Sequence, residues 1–404
     1  MTNTDVPTNN VNVDVLIIGG GIAGLWSLAR LQKAGYKTVL LESETLGAGQ
    51  TRYAQGIIHG GTKYALTGKL TASSEAVANM PSRWRACYEG KGELDLTQAE
   101  LLSDAHYLWS TTSLTSRISG FFASKVMRAR STELSPNELP NIFQHKKFKG
   151  QFYRLDEPVF NTLSVVRALA EPRKKSILPI KQFSIACAED KLCVESQDGN
   201  NYCFDYKKII FMAGQGNEDL LSRFNLDKPK MQRRPLKMAV MRGAQSDMIY
   251  AHCLGASVNP RITITSHYDN EGRIVWYIGG QLAEEGVNKS DVELIQAAKN
   301  ELNDLIPWLE LKNAEWGVLE VDRAEIKEQG STRPDSFSIE KNKNVITAWP
   351  TKMALSPVLA DALLEIIEDD NVSKNTGLSL PDWQAIQYAD FPWDEKTCWD
   401  RGKT

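Results

Sequence analysis

The chain of 404 residues carries 47 lysines and arginines against 50 aspartates and glutamates, and 42% of its residues are hydrophobic. This composition is ordinary for a globular protein of roughly two or three domains. The formal net charge of −3 gives no support to a nucleic-acid-binding protein, which is usually basic. No apolar run reaches the ~18 residues that a membrane-spanning helix needs, which leaves only peripheral membrane contact open.

The cysteines and the N-terminal residues indicate in which cellular compartment the protein is expected. None of the cysteines belongs to a C-x-x-C pair, so neither a zinc ribbon nor a redox dithiol is indicated, and no metal site is expected. Residues 2–10 lack the basic and apolar regions of a secretory signal. Scattered cysteines without such a signal predict a reducing, cytoplasmic location. The cysteines are Cys87, Cys187, Cys193, Cys203, Cys253 and Cys398.

The first predicted elements form a strand–helix–strand unit. Val13–Ile18 is a short, mostly apolar and β-branched run, which is typical of a buried parallel strand. Leu25–Ala34 is a predicted helix, and Lys37–Leu41 is a second predicted strand that ends on Glu42. This order is that of a βαβ nucleotide-binding unit.

The turn between the first strand and the helix contains G-x-G-x-x-G at Gly19, Gly21 and Gly24. Gly19 permits the tight turn, Gly21 lets the backbone approach a pyrophosphate, and Gly24 lets the helix pack closely on the strand. The helix N-terminus offers N–H groups to the phosphates. Glu42 follows about 20 residues later, where a carboxylate accepts hydrogen bonds from the adenosine ribose. The sequence therefore predicts a dinucleotide site and leaves NAD and FAD open.

A glycine-rich stretch, Gly47–Tyr64, follows the unit and favours FAD. It resembles the segment that runs along the flavin in the D-amino-acid-oxidase-like (DAO) superfamily. Ile58–Tyr64 is most similar to the FAD-dependent glycerol-3-phosphate dehydrogenases and L-2-hydroxyglutarate oxidases. The resemblance continues in family order over residues 13–367. Its further segments are Glu157–Phe160, Lys208–Gly216, Ser331–Asp335 and Asn344–Pro357.

One segment departs from the pattern of the family. The final loop beside the flavin is usually glycine-rich in these enzymes. Here Trp349–Met353 contains no glycine.

The resemblance implies an α/β fold with two interleaved domains. We expect a Rossmann-like FAD-binding domain in three stretches, 11–88, 150–225 and 330–372. The substrate domain, 89–149 and 226–329, is expected to be α+β and built on a mixed, largely antiparallel sheet, with tails at 1–10 and 380–404. A hairpin is predicted at Asp198–Asn200, and Ser290–Leu305 is a predicted amphipathic helix. Other predicted strands are Ile180–Ala186, Lys191–Ser196, Tyr202–Asp205, Lys237–Arg242, Arg261–Ser266 and Arg273–Ile278.

Flavin oxidation would move a hydride from a substrate carbon to the flavin N5, so the protein must hold the substrate and take its proton. Arg333 is the candidate for an anionic group, because a guanidinium binds carboxylate or phosphate through two hydrogen bonds; a structural salt bridge with Asp335 is the alternative. His59 is the candidate general base. A covalent flavin link or a backbone hydrogen bond are its alternatives.

Other residues are expected at the cofactor. Lys352 and the helix that starts near Ser356 would place positive charge by the flavin N1–C2=O edge; a surface lysine is the alternative. Met353 is expected to contact the cofactor beside Lys352. Gly60, Gly61, Ala213 and Gly214 are expected along the flavin from the resemblance. Weaker pocket candidates are Arg323, Lys63 and Tyr277. The remaining histidines, without ligand-like spacing, are assigned structural roles: His106, His145, His252 and His267.

The favoured function is FAD-dependent oxidation of CH–OH in a small anionic substrate, a 2-hydroxy acid or a polyol phosphate. Oxidation of CH–NH in an amino acid or secondary amine is the first alternative. An NAD-dependent dehydrogenase, a non-catalytic flavoprotein and a flavin domain of an RNA-modifying protein are further alternatives. The electron acceptor, whether oxygen, quinone or protein, and the oligomeric state stay open.

Overall fold

The computed structural model describes residues 8–61, 77–111, 131–182, 191–244, 247–255, 260–327, 334, 336–375 and 380–402. The α-helices in these ranges are α1 (Ile22–Lys33), α2 (Met80–Tyr88), α3 (Thr162–Ala170), α4 (Asn217–Arg223), α5 (Gln281–Gly286), α6 (Asp291–Leu305), α7 (Ser356–Asp369) and α8 (Lys396–Asp400). None of the helices in this part of the chain is long and apolar enough to cross a membrane.

The strands make two large sheets and one short pair. In chain order they are β1 (Thr8–Ile18), β2 (Thr38–Glu42), β3 (Leu101–Ser103), β4 (His106–Trp109), β5 (Ser131–Glu133), β6 (Phe152–Leu155), β7 (Val159–Phe160), β8 (Ile177–Gln182), β9 (Lys191–Ser196), β10 (Asn201–Phe211), β11 (Met231–Arg242), β12 (Tyr250–Cys253), β13 (Ile262–Tyr268), β14 (Ile274–Gly279), β15 (Glu315–Ile326), β16 (Ser338–Asn342) and β17 (Val345–Trp349).

The first sheet has a parallel core. β1 pairs in parallel with β2 and with β10, β2 pairs with β8, and β10 pairs with β17. β9 is antiparallel to β8 and β10, and β16 is antiparallel to β17. The strands of this sheet come from three separate stretches of the chain. The predicted Rossmann-like arrangement, with β1 and β2 flanking α1, is confirmed.

The second sheet has the order β15-β11-β14-β13-β12-β4-β6-β5. All its neighbours are antiparallel except β12 and β4. The predicted mixed, largely antiparallel sheet is therefore confirmed. β6 belongs to this sheet through its pairing with β4 and β5, although the predicted boundary at residue 150 assigned it to the cofactor domain. A strand of only four residues carries no sign in its sequence of the strands that it pairs with.

The hydrophobic core beside the first sheet lies where α1 packs against α7 and α2. Leu25 and Leu363 are fully buried there, and each such side chain contributes about 1.5–3 kcal/mol by leaving water. The rings of Trp26 and Trp84 lie 4.7 Å apart between centroids. This packing holds the N-terminus of α1, and therefore the glycine turn, in a fixed place against the sheet.

Two local predictions are realised with their hydrogen bonds. The side chain of Ser290 caps α6 by accepting from the N–H of Glu293, and the carboxylate of Glu293 accepts from the N–H of Ser290. β9 and β10 form the predicted hairpin, with Gly199 in the left-handed region at φ 89°. β10 runs on without a break from the hairpin to Phe211, beyond the predicted end of this strand at Asp205.

The hairpin also carries a disulfide that the sequence spacing did not predict. Cys193 and Cys203 are cross-strand partners with their Cα atoms 4.0 Å apart, and they are bonded. Among the described cysteines, Cys87, Cys253 and Cys398 are free and buried. Disulfides are rare in reducing compartments, so the bond differs from what the cytoplasmic location favours. That location stays a prediction.

Candidate active site

The glycine turn has no room for side chains. Gly19 has φ 118°, and a Cβ on it would stand 2.4 Å from the carbonyl oxygen of Met212. A Cβ on Gly24 would stand 2.0 Å from the carbonyl oxygen of Gly19. Gly21 is the N-cap of α1 and supplies no side-chain cap, and the first turn of α1 contains no acidic residue. The first turn of the helix therefore adds no carboxylate of its own beside the helix N-terminus, which favours a bound pyrophosphate.

Glu42 ends β2 beside this turn. One of its carboxylate oxygens accepts from the N–H of Gly20 at 2.5 Å and the other from the N–H of Glu44 at 2.8 Å. Burial raises the pKa of Glu42, and these backbone donors oppose the rise. The N–H of Ser43 also acts on this carboxylate, and since a carboxylate has about four acceptor sites, it can still accept from a ribose hydroxyl. The donor and acceptor set of this turn fits the adenosine end of FAD.

The segment after β10 returns to the same turn. The N–H of Met212 donates to the carbonyl of Ile18 at 2.8 Å. The N–H of Ala213 donates to the side chain of Asn217 at 2.8 Å, and Gly214 is held at φ 58° with its carbonyl accepting from Trp349. Ala213 and Gly214 therefore lie next to the glycine turn and to the end of β17.

The loop that follows Trp349 turns at a threonine in a strained conformation. Thr351 has φ 56°, in the left-handed region, and its hydroxyl donates to the carbonyl of Ser336 at 2.9 Å. The N–H of Lys352 donates to the carbonyl of Pro350 at 2.6 Å. Met353 then begins a short 3-10 turn that leads into α7. The backbone makes the tight turn that glycine would favour, at a cost of about 1–3 kcal/mol.

The loop of residues 54–61 crosses from the first sheet toward the second. Gly56 has φ 76°, and a Cβ there would stand 2.0 Å from the carbonyl oxygen of Phe160. The N–H of Phe160 donates to Gly56, and that of Ile58 donates to Pro158, both at 2.9 Å. Gly61 has φ 83°. The loop is thus fixed along β7, and its end carries His59 and the predicted Gly60 and Gly61.

The second sheet turns an unusual polar face toward this loop. Alternate residues such as Ile264 and Trp276 point to the other face, where they pack with α6. Gln55 of the loop donates to the hydroxyl of Thr265 at 3.4 Å, and Tyr277 donates to the carbonyl of Tyr53 at 2.9 Å. The buried polar residues of the inner face are His106, His252, Thr263, Thr265, His267 and Tyr277.

Three histidines and one glutamate meet where the loop touches this face. Nδ1 of His59 lies 3.1 Å from Oε2 of Glu157, and the N–H of Gly60 donates to Oε1 of Glu157 at 2.8 Å. The ring of His252 stacks on that of His59 with centroids 5.5 Å apart and 19° between planes. His106 packs edge-on against His252 at 4.1 Å. We call these four side chains the histidine cluster.

Burial and hydrogen bonding together set the charges of the histidine cluster. Burial works to raise the pKa of Glu157, but the hydrogen bond from His59, the charge that His59 carries when it is protonated and the N–H of Gly60 outweigh it, and the pKa falls below its ordinary value. Burial lowers the pKa of His106 to about 3. Glu157 is therefore an anion and His106 is neutral at ordinary pH. In the described ranges, no group of three or more His, Cys, Asp or Glu side chains is arranged to hold a metal ion.

The remaining candidates fall in other places. Arg333, its alternative partner Asp335 and Lys63 lie outside the described residues. Arg323 donates to the carbonyl of Arg234 at 3.2 Å, across the β11–β15 pair. Tyr277 is part of the polar face, but its hydroxyl is engaged with Tyr53.

Sequence reasoning missed three members of the histidine cluster. Glu157 was part of a segment quoted only for its resemblance, and His106 and His252 were assigned structural roles. Their convergence depends on the pairing of β4 with β12, where Ala251 lies opposite Tyr107. The one available signal was the alternation of polar and apolar residues in β13, which marked a face without saying what it meets.

The C-terminal segment, residues 386–402, was also missed. It was predicted to be part of a tail. In the structure it runs along the loop after β2 and then over the second sheet. The N–H of Leu46 donates to the carbonyl of Gln387, and the N–H of Ala389 donates to the carbonyl of Leu46. Arg52 pairs with Glu395. Trp393 is fully buried against His267, with ring centroids 4.5 Å apart. Because its aromatic side chains are spaced without a helical or strand period, the sequence did not predict this packing.

The chain is similar to a known family and to one relative over nearly its whole length. The family described as "DAO: FAD dependent oxidoreductase" matches residues 14–323. The probable FAD-dependent oxidoreductase PA4991 of Pseudomonas aeruginosa is 44% identical over 385 residues, which is 95% of this chain and 98% of that protein. Its crystal structure superposes with a TM-score of 0.83 at 39% identity, covering 96% of this chain and 98% of that chain.

Two more distant structures share the fold. Glycine oxidase from Geobacillus kaustophilus superposes with a TM-score of 0.61 at 15% identity, covering 92% of this chain and 97% of that one. L-alpha-glycerophosphate oxidase from Mycoplasma pneumoniae, solved with FAD bound, has a TM-score of 0.61 at 12% identity, covering 94% and 97%. At these identities the likeness concerns the fold.

Proposed function

The chain belongs to the DAO family of FAD-dependent oxidoreductases, and from this premise we propose that it oxidises the CH–OH group of a small anionic substrate. The substrate would be a 2-hydroxy acid or a polyol phosphate. When bound, FAD supplies the hydride acceptor, its N5 atom. The protein's own task is to hold the substrate carbon, exclude water and take the hydroxyl proton.

The observation that carries the proposal is the pair of His59 and Glu157 beneath the polar face of the second sheet. An alcohol keeps its proton at neutral pH, so a base must accept that proton as the hydride leaves. An amine can lose its proton to solvent before it reacts and needs no such base. A histidine held by an ionised carboxylate (Nδ1 to Oε2, 3.1 Å) is suited to the first task.

The proposed roles of the other residues follow the same division. Arg333 would bind the carboxylate or phosphate of the substrate through two hydrogen bonds. Gly19, Gly21, Gly24 and Glu42 would hold the pyrophosphate and adenosine ribose. The residues proposed to lie along the flavin are Gly60, Gly61, Ala213, Gly214, Lys352 and Met353.

Oxidation of CH–NH is the second candidate. A glycine oxidase and a glycerophosphate oxidase share this fold at the same TM-score of 0.61, so the fold supports both substrate classes. The histidine cluster favours the alcohol. The electron acceptor, whether oxygen, quinone or a protein, is left to experiment.

An anaerobic screen tests the proposal. The full-length holoenzyme would be mixed with 2-hydroxy acids, polyol phosphates, amino acids and secondary amines, and loss of the visible flavin absorbance would be recorded. We expect a 2-hydroxy acid or a polyol phosphate to bleach the flavin. Bleaching by amino acids or secondary amines alone would overturn the CH–OH assignment in favour of the second candidate.

A further inference from the structure

We propose that Glu157 is the positioning residue of the base, which holds His59 in the tautomer with hydrogen on Nδ1 and leaves Nε2 as the proton acceptor. The proposal rests on the role proposed above for His59. In the reaction the C–H bond would break with its electron pair going to the flavin as hydride, and the hydroxyl proton would go to Nε2. The oxygen and carbon would be left as a carbonyl, and the new imidazolium would face the carboxylate of Glu157.

Glu157 is held rigidly with respect to His59. It lies between β6 and β7, and its neighbour Pro158 accepts from the N–H of Ile58 at 2.9 Å. Ile57 and Val159 form a bridge on the same two segments. The backbone segments that carry the carboxylate and the imidazole are therefore fixed relative to each other by hydrogen bonds.

The two side chains differ in exposure in the way a positioned base requires. The side chain of Glu157 is 4% exposed and that of His59 is 36% exposed. The carboxylate is thus closed off from water, which strengthens its hold on Nδ1. The open part of the imidazole can meet a substrate and later return its proton to solvent.

The hydrogen-bond chemistry fixes the tautomer. An ionised carboxylate only accepts, so the contact of 3.1 Å requires hydrogen on Nδ1 of His59. Oε1 is already committed to the N–H of Gly60 at 2.8 Å. Both oxygens therefore face donors, and the carboxylate suits this place better than any neutral group of its shape.

The other ionisable groups of the histidine cluster are arranged to leave this pair intact. His106, from β4, is neutral, with its Nδ1 4.0 Å from Oε2 of Glu157. His252, from β12, has its Nδ1 2.7 Å from the hydroxyl of Thr263. Its stacking on His59 restricts rotation of that ring. The charge of Glu157 is therefore directed at His59.

The isosteric change Glu157→Gln reverses the expected tautomer. The carboxamide has one acceptor and one donor end. If its oxygen stays on the N–H of Gly60, its NH₂ group faces Nδ1 of His59, which must then accept. The proton of the imidazole moves to Nε2, and the base is lost although the shape of the site is kept.

Nitrogen NMR of the holoenzyme labelled with ¹⁵N-histidine tests this directly, since the chain has only 5 histidines and each can be assigned by single substitution. We expect wild-type His59 to carry its proton on Nδ1, Glu157→Gln to move it to Nε2, and Glu157→Asp to restore it. In stopped flow with the substrate found in the screen, Glu157→Gln should slow flavin reduction by about 10²- to 10⁴-fold, with partial recovery in Glu157→Asp.

Asp14→Asn is the matched control. Asp14 is another fully buried carboxylate that accepts backbone N–H groups, from Lys37 at 2.8 Å and from Asn375 at 3.0 Å. Its loss should lower stability and leave the tautomer of His59 unchanged. A wild-type His59 with its proton on Nε2, or a tautomer that Glu157→Gln leaves as it was, would overturn the inference. If the tautomer changes as expected but no alcohol bleaches the flavin, the proposed function fails and the positioning role stands.

Discussion

Gly24 and Gly19 lie so close that a Cβ on Gly24 would stand 2.0 Å from the carbonyl oxygen of Gly19. The contact joins the first turn of α1 to the end of β1 and sets the distance between the helix N-terminus and the turn. A methyl group at Gly24 must therefore push the helix away from the strand.

The change Gly24→Ala should lower the free energy of unfolding by about 1–3 kcal/mol, the usual cost of overpacking, and reduce the flavin bound per chain. Flavin absorbance per protein and denaturant unfolding measure the two effects. Gly49→Ala is the control, because a Cβ there meets nothing within 4 Å. Equal flavin content in both variants would contradict a close-packed turn.

The C-terminal segment should contribute strongly to stability. Trp393 is fully buried between Phe391, His267 and Tyr277, and truncation of such a side chain costs about 3–5 kcal/mol. We expect Trp393→Ala to show this loss in denaturant unfolding. Tyr268→Ala, at a side chain 52% exposed in the same region, should change stability by about 0.5 kcal/mol or less. A free tail would make the two variants alike.

The buried histidines should make the protein acid-sensitive. Burial lowers the pKa of both His106 and His267 to about 3, below the value of about 6.5 in an unfolded chain. Between these two values the unfolded state binds protons that the folded state does not, so stability falls as pH falls from about 6.5 toward 3. Each histidine contributes a slope of up to about 1.4 kcal/mol per pH unit.

Denaturant unfolding at a series of pH values measures this slope. His267→Asn should flatten it, because the variant has one group fewer to protonate on unfolding. A slope that His267→Asn leaves unchanged would show that this ring is not kept neutral by burial.

Arg333 is proposed to bind the anionic group of the substrate. Hydrogen bonds to charged groups contribute about 1.5–3 kcal/mol, so Arg333→Ala should raise KM by about tenfold or more, with flavin content unchanged. Arg223→Ala is the control, since Arg223 forms a surface pair with Asp219 on α4. Steady-state kinetics in which both variants keep the parent KM would remove Arg333 from the site.

The sequence predicted those parts of the site whose chemistry is local. Gly19, Gly21 and Gly24 act within one turn, and Glu42 follows one helix later, so spacing alone was sufficient. The left-handed Thr351 was not predicted, because nothing in its type requires φ 56°. The backbone hydrogen bond from Ala389 to Leu46 joins distant parts of the chain, and such a contact produces no periodic pattern in the sequence.

The histidine cluster is the clearest example of a part of the site that the sequence could not predict. His59 lay in a segment with a family resemblance, but His106 and His252 come from different strands of a sheet, and Glu157 comes from a connection between two others. Only the register of β4 with β12, and of Ile57 with Val159, brings them together. Long-range pairing of this kind depends on the whole fold.

The most direct test of the central claim is anaerobic single-turnover reduction of the flavin, followed in stopped flow for wild type and His59→Gln. The substrates would be the best alcohol and the best amino acid from the screen. We expect wild type to be reduced by the alcohol, and His59→Gln to be slower by about 10²- to 10⁴-fold with its flavin still bound. Reduction of His59→Gln at the wild-type rate, or reduction of wild type by the amino acid alone, would contradict the claim.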